Sequence, residues 1–218
     1  MILKLGGKAT VRTGRPREFD VDEALDAAMR LFWEQGYEAT SLARLREVTG
    51  LSSASLYAAF SSKEGLFDAV VRRYNTTFGT VTDVVADVGL PPRVAVERML
   101  RGSAAMQTDP SHPAGCLVVL SAATAAPEHD RVRALLSDRR ATIRLDLLAC
   151  VGRAVASGEL REDTDATALA AVVESFVWGL STEARDGVAH EVLDAAVGHL
   201  LSVWDSHQSG KVERYPCR

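Results

Sequence analysis

Residues 41–60, "SLARLREVTGLSSASLYAAF", contain two short helix-forming stretches separated only by "VTGL". A connection that short forces the helices into a tight crossing, and Gly50 supplies the backbone conformation the turn needs. Leu42, Leu45, Leu51, Leu56 and Phe60 can build the small core that holds the crossing. The second stretch is chemically divided: Ser52, Ser53 and Ser55 crowd its leading end, while Leu56, Tyr57 and Phe60 fill its trailing end. A core element has no use for three hydroxyls, and a loop has no use for the apolar trio. The division suits a short helix gripped from behind and presented by its N-terminus. That is the geometry of a helix-turn-helix unit, whose second helix enters the DNA major groove. A helix N-terminus also favours anions through its free N–H groups and partial positive charge. Ser52 and Ser61 read first as N-caps, which leaves Ser53 and Ser55 as the better base-edge candidates.

The rest of the chain reads as helix, with no alternating run bounded by hairpin turns. The expectation is an all-α protein of about nine helices. A capping box pairs Asp20 with Glu23 at the head of the first helix, and Val21, Leu25, Ala28 and Phe32 form its buried stripe. Gly36 is placed to stop it. The fourth helix is expected to begin at Ser61, in a capping box with Glu64. Its stripe of Leu66, Val70, Tyr74 and Phe78 should carry it out of the small domain and into the next. Pro91 and Pro92 mark a restart. Later helices are expected near 92–108, 115–125, 128–157, 164–186 and 189–206. The domain plan is a basic flexible arm (1–18), a helix-turn-helix domain (19–66), a larger helical domain (67–208) and a flexible tail (209–218).

Charge divides along the same line. The chain of 218 residues has net charge −4, yet residues 1–17 carry Lys4, Lys8, Arg12, Arg15 and Arg17 with no acid. An anion-facing end joined to an acidic body fits the asymmetry, and so does a merely solubilising tail. No apolar run is long enough to cross a bilayer and no signal-peptide pattern opens the chain, so a cytoplasmic protein is expected. Cys116, Cys150 and Cys217 show no metal or redox spacing and read as reduced thiols. The five histidines form no HxxxH or HExxH motif, and no GxSxG or glycine-rich phosphate loop occurs. An enzyme, a metal site and a cofactor are therefore not expected.

The stretch "EQGYEATSLARLREVTGLSSASLYAAFSSKEGLF" resembles the DNA-binding domain of TetR/AcrR-type transcriptional regulators. The matching anchors are Gly36-Tyr37, Thr40-Ser41, Gly50-Leu51-Ser52, Leu56-Tyr57, Phe60 and Ser62-Lys63-Glu64, preceded by "GRPREFD". The resemblance implies phosphate contacts from Tyr57 and Lys63, and backbone contacts from Thr40 and Ser41. Tyr57 can equally be a half-buried core residue with its hydroxyl at the surface. Lys63 can be an ordinary solvated lysine, but at a helix N-terminus it opposes the dipole, which an outside phosphate would explain. Arg15 and Arg17 are either a solvated tail or an arm entering the minor groove. Arg46 and the pair Ala58-Ala59 depart from the commoner members, the latter removing possible phosphate donors.

The same resemblance implies a ligand-binding, dimerising second domain. The expected function is that of a homodimeric repressor, released from a palindromic operator in double-stranded DNA when a small-molecule effector binds. Met99, Met106, Cys116, Leu117, Leu120, Phe176 and Trp178 are pocket candidates, though such residues at helical spacing are more often core. Val173, Val177, Leu180, Val197, Leu200, Leu201 and Trp204 lie on wide apolar faces of the last two helices and are dimer-interface candidates; part of each face must be intramolecular core. Cys116 follows Gly115 at a helix start near His112, which opens an oxidant- or electrophile-sensing alternative beside a packed, inert thiol. A helical protein-interaction adaptor is the remaining alternative.

Overall fold

The computed structural model describes residues 21–124 and 126–209, the side chains of 123 and 124 excepted. Arg15, Arg17, the basic arm, the Asp20 cap and Cys217 lie outside the described residues. Among the described residues nine α-helices follow one another: α1 (Val21–Ala39), α2 (Leu42–Thr49), α3 (Ser53–Phe60), α4 (Lys63–Thr77), α5 (Pro92–Thr108), α6 (Leu117–Thr124), α7 (Asp130–Ala156), α8 (Ala166–Arg185) and α9 (His190–Ser206). A 3-10 segment, Gly79–Ala86, joins α4 to α5, and the sequence reading did not foresee it. Among the described residues no strand occurs, only one isolated bridge between Leu160 and Gln208. With the Ser209 N–H bonded to the Glu159 carbonyl, that bridge holds the chain beyond α9 against the α7–α8 turn.

The apolar stripe of α1 is buried from Ala24 onward through Ala28, Phe32 and Trp33. Val21, expected on that stripe, is exposed instead, one turn before the helix meets its neighbours. Gly36 breaks the helical geometry inside α1 at φ 78°, and Tyr37–Ala39 carry the chain over the break. The tight turn forms as expected: Ser41 caps α2, Gly50 takes φ 68°, and Ser52 caps α3. Leu45, Leu51 and Leu56 are buried beneath it, with Leu42 and Phe60 packed at its edge.

The α3–α4 junction differs from expectation. Ser61 does not cap α4; it adopts φ 65° and donates its N–H to the Tyr57 carbonyl, so it closes α3. Ser62 is the cap, its Oγ accepting from the Gly65 N–H at 3.0 Å. The capping box with Glu64 is therefore lost by one residue. Gly65 explains the closeness of the junction: a Cβ there would lie 2.0 Å from the Phe60 carbonyl oxygen.

The core has two clusters. One gathers α1–α4 with Leu117, Val118, Val132 and Leu136 from α6 and α7; the other joins α5, α7, α8 and α9. Leu66, Val70 and Tyr74 are buried along α4 and Phe78 packs at its end, all in the first cluster, where the helix meets α6 and α7.

The seven dimer-interface candidates are all buried inside their own chain. Val173, Val177, Leu180, Val197, Leu200, Leu201 and Trp204 belong to the α5–α7–α8–α9 core. The correction has a simple cause: α8 and α9 must first close over α5 and α7, and the larger aliphatic residues serve that purpose. What remains outside is an edge strip with Val172 at 47%, Val192 at 58% and Val203 at 43% exposure.

Gly65→Ala is expected to cost about 1–3 kcal/mol, because the methyl group meets backbone that cannot move aside. Gly152 in α7 has nothing within 4 Å of a built Cβ. Gly152→Ala should instead stabilise by roughly 0.5–1 kcal/mol. Paired thermal or urea unfolding of the two variants checks both signs.

Candidate nucleic-acid interface and internal cavity

The outward face of α3 is made by Ser53, Ala54, Tyr57 and Ala58, all exposed, in two pairs four residues apart. Leu56 faces the opposite way into the core. Ser52 accepts the Ser55 N–H at 3.1 Å, and the two hydroxyls lie 2.9 Å apart. Ser55 is thus partly buried against its own cap, which leaves Ser53 as the freer of the two base-edge candidates. Tyr57 is 47% exposed and sits on this face rather than in the core.

The supporting residues divide. Ser41 is exposed and caps α2, with its Oγ accepting from the Arg44 N–H at 3.2 Å. That leaves its own O–H free to donate outward. Thr40 is fully buried and donates its hydroxyl to the Gly36 carbonyl at 2.7 Å. Burial removes Thr40 from the contact set; it ties the α1–α2 turn instead.

Lys63 lies with its ammonium 4.2 Å from the centre of the Tyr37 ring. Burial lowers its pKa and nearby Glu38 opposes that. Tyr37 is pushed up to about 12, by burial first and then by Glu64 and Glu38. A lysine at the head of α4 therefore has an internal partner in the aromatic face, which the sequence reading had sought only in an outside phosphate. Arg44, exposed and paired with Glu47, and exposed Arg46 are further cations on α2. Arg46 stood out in the sequence only as a departure from the commoner members, and Arg44 by its charge alone.

The helix-turn-helix unit is fastened to the rest through the end of α1. Trp33 donates its indole N–H to the Gly115 carbonyl at 3.1 Å, and its ring stacks on His112 and meets Tyr74 and Phe78 edge-on. Arg185 of α8 donates to the Trp33 carbonyl at 2.6 Å. His129, before α7, stands 3.5 Å from carboxylate oxygens of both Glu38 and Glu64.

Behind Trp33 a narrow cavity of about 30 Å³ opens among α4, α5, α6, α7 and α8. That is room for about two water molecules. Met106, Cys116 and Trp178 line it as expected. Met99 lies elsewhere in the core, Phe176 packs at the edge of that core, and Leu117 is buried with the α1–α4 cluster. Leu120 is not on the wall but closes on Gly115, where a Cβ would meet its Cδ1 at 2.6 Å. Helical spacing could not separate these because it gives a face, not a depth. The wall also contains polar residues the sequence reading passed over: Asn75, Ser103, Gln107, Arg139, Arg140 and Glu174. Glu174 sits among Ala170, Val173 and Val177 on the buried side of α8, a signal present in the sequence. Cys116 accepts the Tyr74 O–H at 3.3 Å and packs against the core. That favours the inert thiol over the sensing alternative.

Among the described residues no group of three or more His, Cys, Asp or Glu could hold a metal ion. No helix among them is long and apolar enough to cross a membrane.

Residues 24–70 match the family described as bacterial regulatory proteins, tetR family, and residues 93–200 match the tetracyclin repressor-like C-terminal domain. The HTH-type transcriptional repressor ComR of Escherichia coli strain K12 is 37% identical over 194 residues, covering 88% of this chain and 91% of ComR. The repressor BdcR of the same strain is 30% identical over 185 residues, covering 84% of this chain and 87% of BdcR. Among solved structures, a cysteine-substituted TetR family regulator CifR, complexed with 26-base-pair double-strand operator DNA, is 42% identical. It covers 87% of this chain and 100% of CifR with a TM-score of 0.80. With the reading helix, the two-part core and relatives matching along nearly the whole length, the chain belongs to the tetR family of bacterial regulatory proteins.

Proposed function

We propose that this protein is a homodimeric, effector-responsive transcriptional repressor acting in the cytoplasm. It reads a palindromic operator with two copies of α3. The observation that carries this reading is the exposed Ser53–Ala54–Tyr57–Ala58 face, held from behind by Leu56, in a chain 42% identical to a regulator solved on operator DNA. Its work is binding, not catalysis.

In this reading Ser53 meets a base edge, and Ala54 and Ala58 offer methyl groups to thymine methyls. The alanines that remove phosphate donors thereby keep a reading role. Tyr57, Ser41 and Lys63 hold the backbone, Lys63 while resting on Tyr37. Arg15 and Arg17 extend the contact into the minor groove. The exposed edge of α8 and α9, with Val172, Val192 and Val203, pairs with its copy about a two-fold axis. Pairing sets the two α3 helices about 34–36 Å apart, one turn of duplex.

Release follows from the cavity. At about 30 Å³ the cavity is smaller than a small-molecule effector, which in this reading enters by parting the helices around it. Tyr74 and Asn75 place the far end of α4 in that wall, while Lys63 and Glu64 place its near end beside α3. A ligand favouring the parted state by 1–3 kcal/mol would weaken operator binding about 5–150-fold.

Selection of bound fragments from random duplex DNA should return a palindrome; an asymmetric site or no enrichment would overturn the reading. Lys63→Ala should weaken binding to every duplex alike and flatten the salt dependence by about one unit of slope. Ser53→Ala should relax preference at one or two base pairs while leaving the salt slope unchanged. Val192→Glu should dissociate the dimer in sedimentation and reduce operator affinity, with the helical circular dichroism signal unaltered because the side chain is 58% exposed.

A further inference from the structure

Four residues on the cavity wall leave a buried polar atom without a hydrogen bond: Asn75 Oδ1, Ser103 Oγ, Arg140 Nη1 and Glu174 Oε1. They come from α4, α5, α7 and α8, one apiece. Ser103 is fully buried and Glu174 is 8% exposed. An unsatisfied buried polar atom costs about 1–3 kcal/mol, and more when charged. Four around one void is the mark of a site waiting for a polar guest. The other three such atoms among the described residues belong to Thr164, Trp204 and His207, none of them on this wall.

Charge on the wall narrows the guest. Arg139 is engaged, donating to the Gly79 carbonyl, Thr82 Oγ1 and Asp83. Glu174 keeps one oxygen on Arg144, at 3.1 Å. Arg140 makes no ion pair among the described residues and lies over the face of Trp178, 5.7 Å from its centre. Burial, and after it the like charge of Arg144, holds its pKa below the ordinary value, with Glu174 and Cys116 opposing. Glu174 being matched by Arg144 and Arg139 by Asp83, Arg140 leaves one surplus positive charge. The carboxylate oxygen of Glu174 and the amide oxygen of Asn75 accept but cannot donate, so the same guest needs a donor. Ser103 can serve either way. Val81, Val118, Ile143 and Val177 complete the wall and suit a short aliphatic stem. Arg140 also lines an outer cleft of about 450 Å³ with Ala122, Asp130, Arg133, Ala134 and Ser137.

We propose that the effector is a short hydroxy-carboxylate carrying one negative charge, its carboxylate taken by Arg140 and its hydroxyl donated to Glu174 or Asn75. This rests on the reading of the chain as an effector-responsive repressor.

The test uses the full chain, with glycolate, lactate and glycerate as probes. Acetate and propionate are counterparts lacking the hydroxyl, glycolamide and lactamide counterparts lacking the charge, and ethanolamine a probe of opposite charge. Binding is read by tryptophan fluorescence, since Trp178 lies on the wall, and release by anisotropy of a labelled operator fragment selected as above. At least one hydroxy-carboxylate should bind about tenfold more tightly than each counterpart, and the same compound should release the operator. Arg140→Gln should erase the preference for the acid over its amide while probe-free DNA binding is retained. If that variant fails to fold, the comparison of acid, deoxy-acid and amide on the unaltered protein still decides. No binding by any hydroxy-carboxylate, or equal binding by an amide or by ethanolamine, overturns the ligand class. Intact DNA binding with that outcome spares the repressor reading. Absent DNA binding without any probe sinks the repressor reading, while the fluorescence titration still judges the ligand class.

Discussion

The burial of Trp33 is the constraint on which the rest of the molecule depends. Its indole stacks on His112, meets Tyr74 and Phe78 edge-on and donates to the Gly115 carbonyl, while Arg185 holds its own carbonyl. Each aromatic contact of this kind is worth about 0.5–1.5 kcal/mol beyond simple burial. Together they make the end of α1 part of the helical body. The reading helix is therefore not hung on a flexible joint. It is carried by elements whose positions are decided elsewhere.

That arrangement connects the cavity to α3 by two physical routes. Gln107, on the wall, receives the Gly115 N–H through its carbonyl and the Ser181 hydroxyl through its side chain, and Gly115 in turn receives Trp33. The second route is α4 itself, with Tyr74 and Asn75 at the wall and Lys63 beside Tyr37. Both routes run through packed side chains and short hydrogen bonds, which shift between discrete arrangements rather than stretching smoothly. Under the proposed release, these are the contacts through which a displacement at the wall would reach α3.

Much of the architecture was legible in advance because it rests on local chemistry. The start of α5 at Pro92 follows from a proline that fits the first helical turn, and α8 begins behind the Asp165 cap. The turn at Gly50 follows from a backbone angle other residues avoid. The 3-10 segment Gly79–Ala86 was not legible, because its helix-like composition does not reveal the tighter winding imposed by packing on α5 and α7. Nor was the one-residue shift from Ser61 to Ser62 at the head of α4. Either serine can cap, and the choice is made by how closely α3 must approach Gly65.

The sequence by itself determined the helical class and the helix-turn-helix, because both are encoded within a few neighbouring residues. Only the tertiary structure decided that Thr40 is sealed in, that Lys63 has an aromatic partner, and that the large aliphatic residues of α8 and α9 serve the chain's own core. It also decided that Asn75, Ser103, Arg140 and Glu174 surround one void. Helical periodicity tells which residues share a face. What that face meets depends on elements more than a hundred residues away, as Arg185 on Trp33 shows, and no local pattern records it.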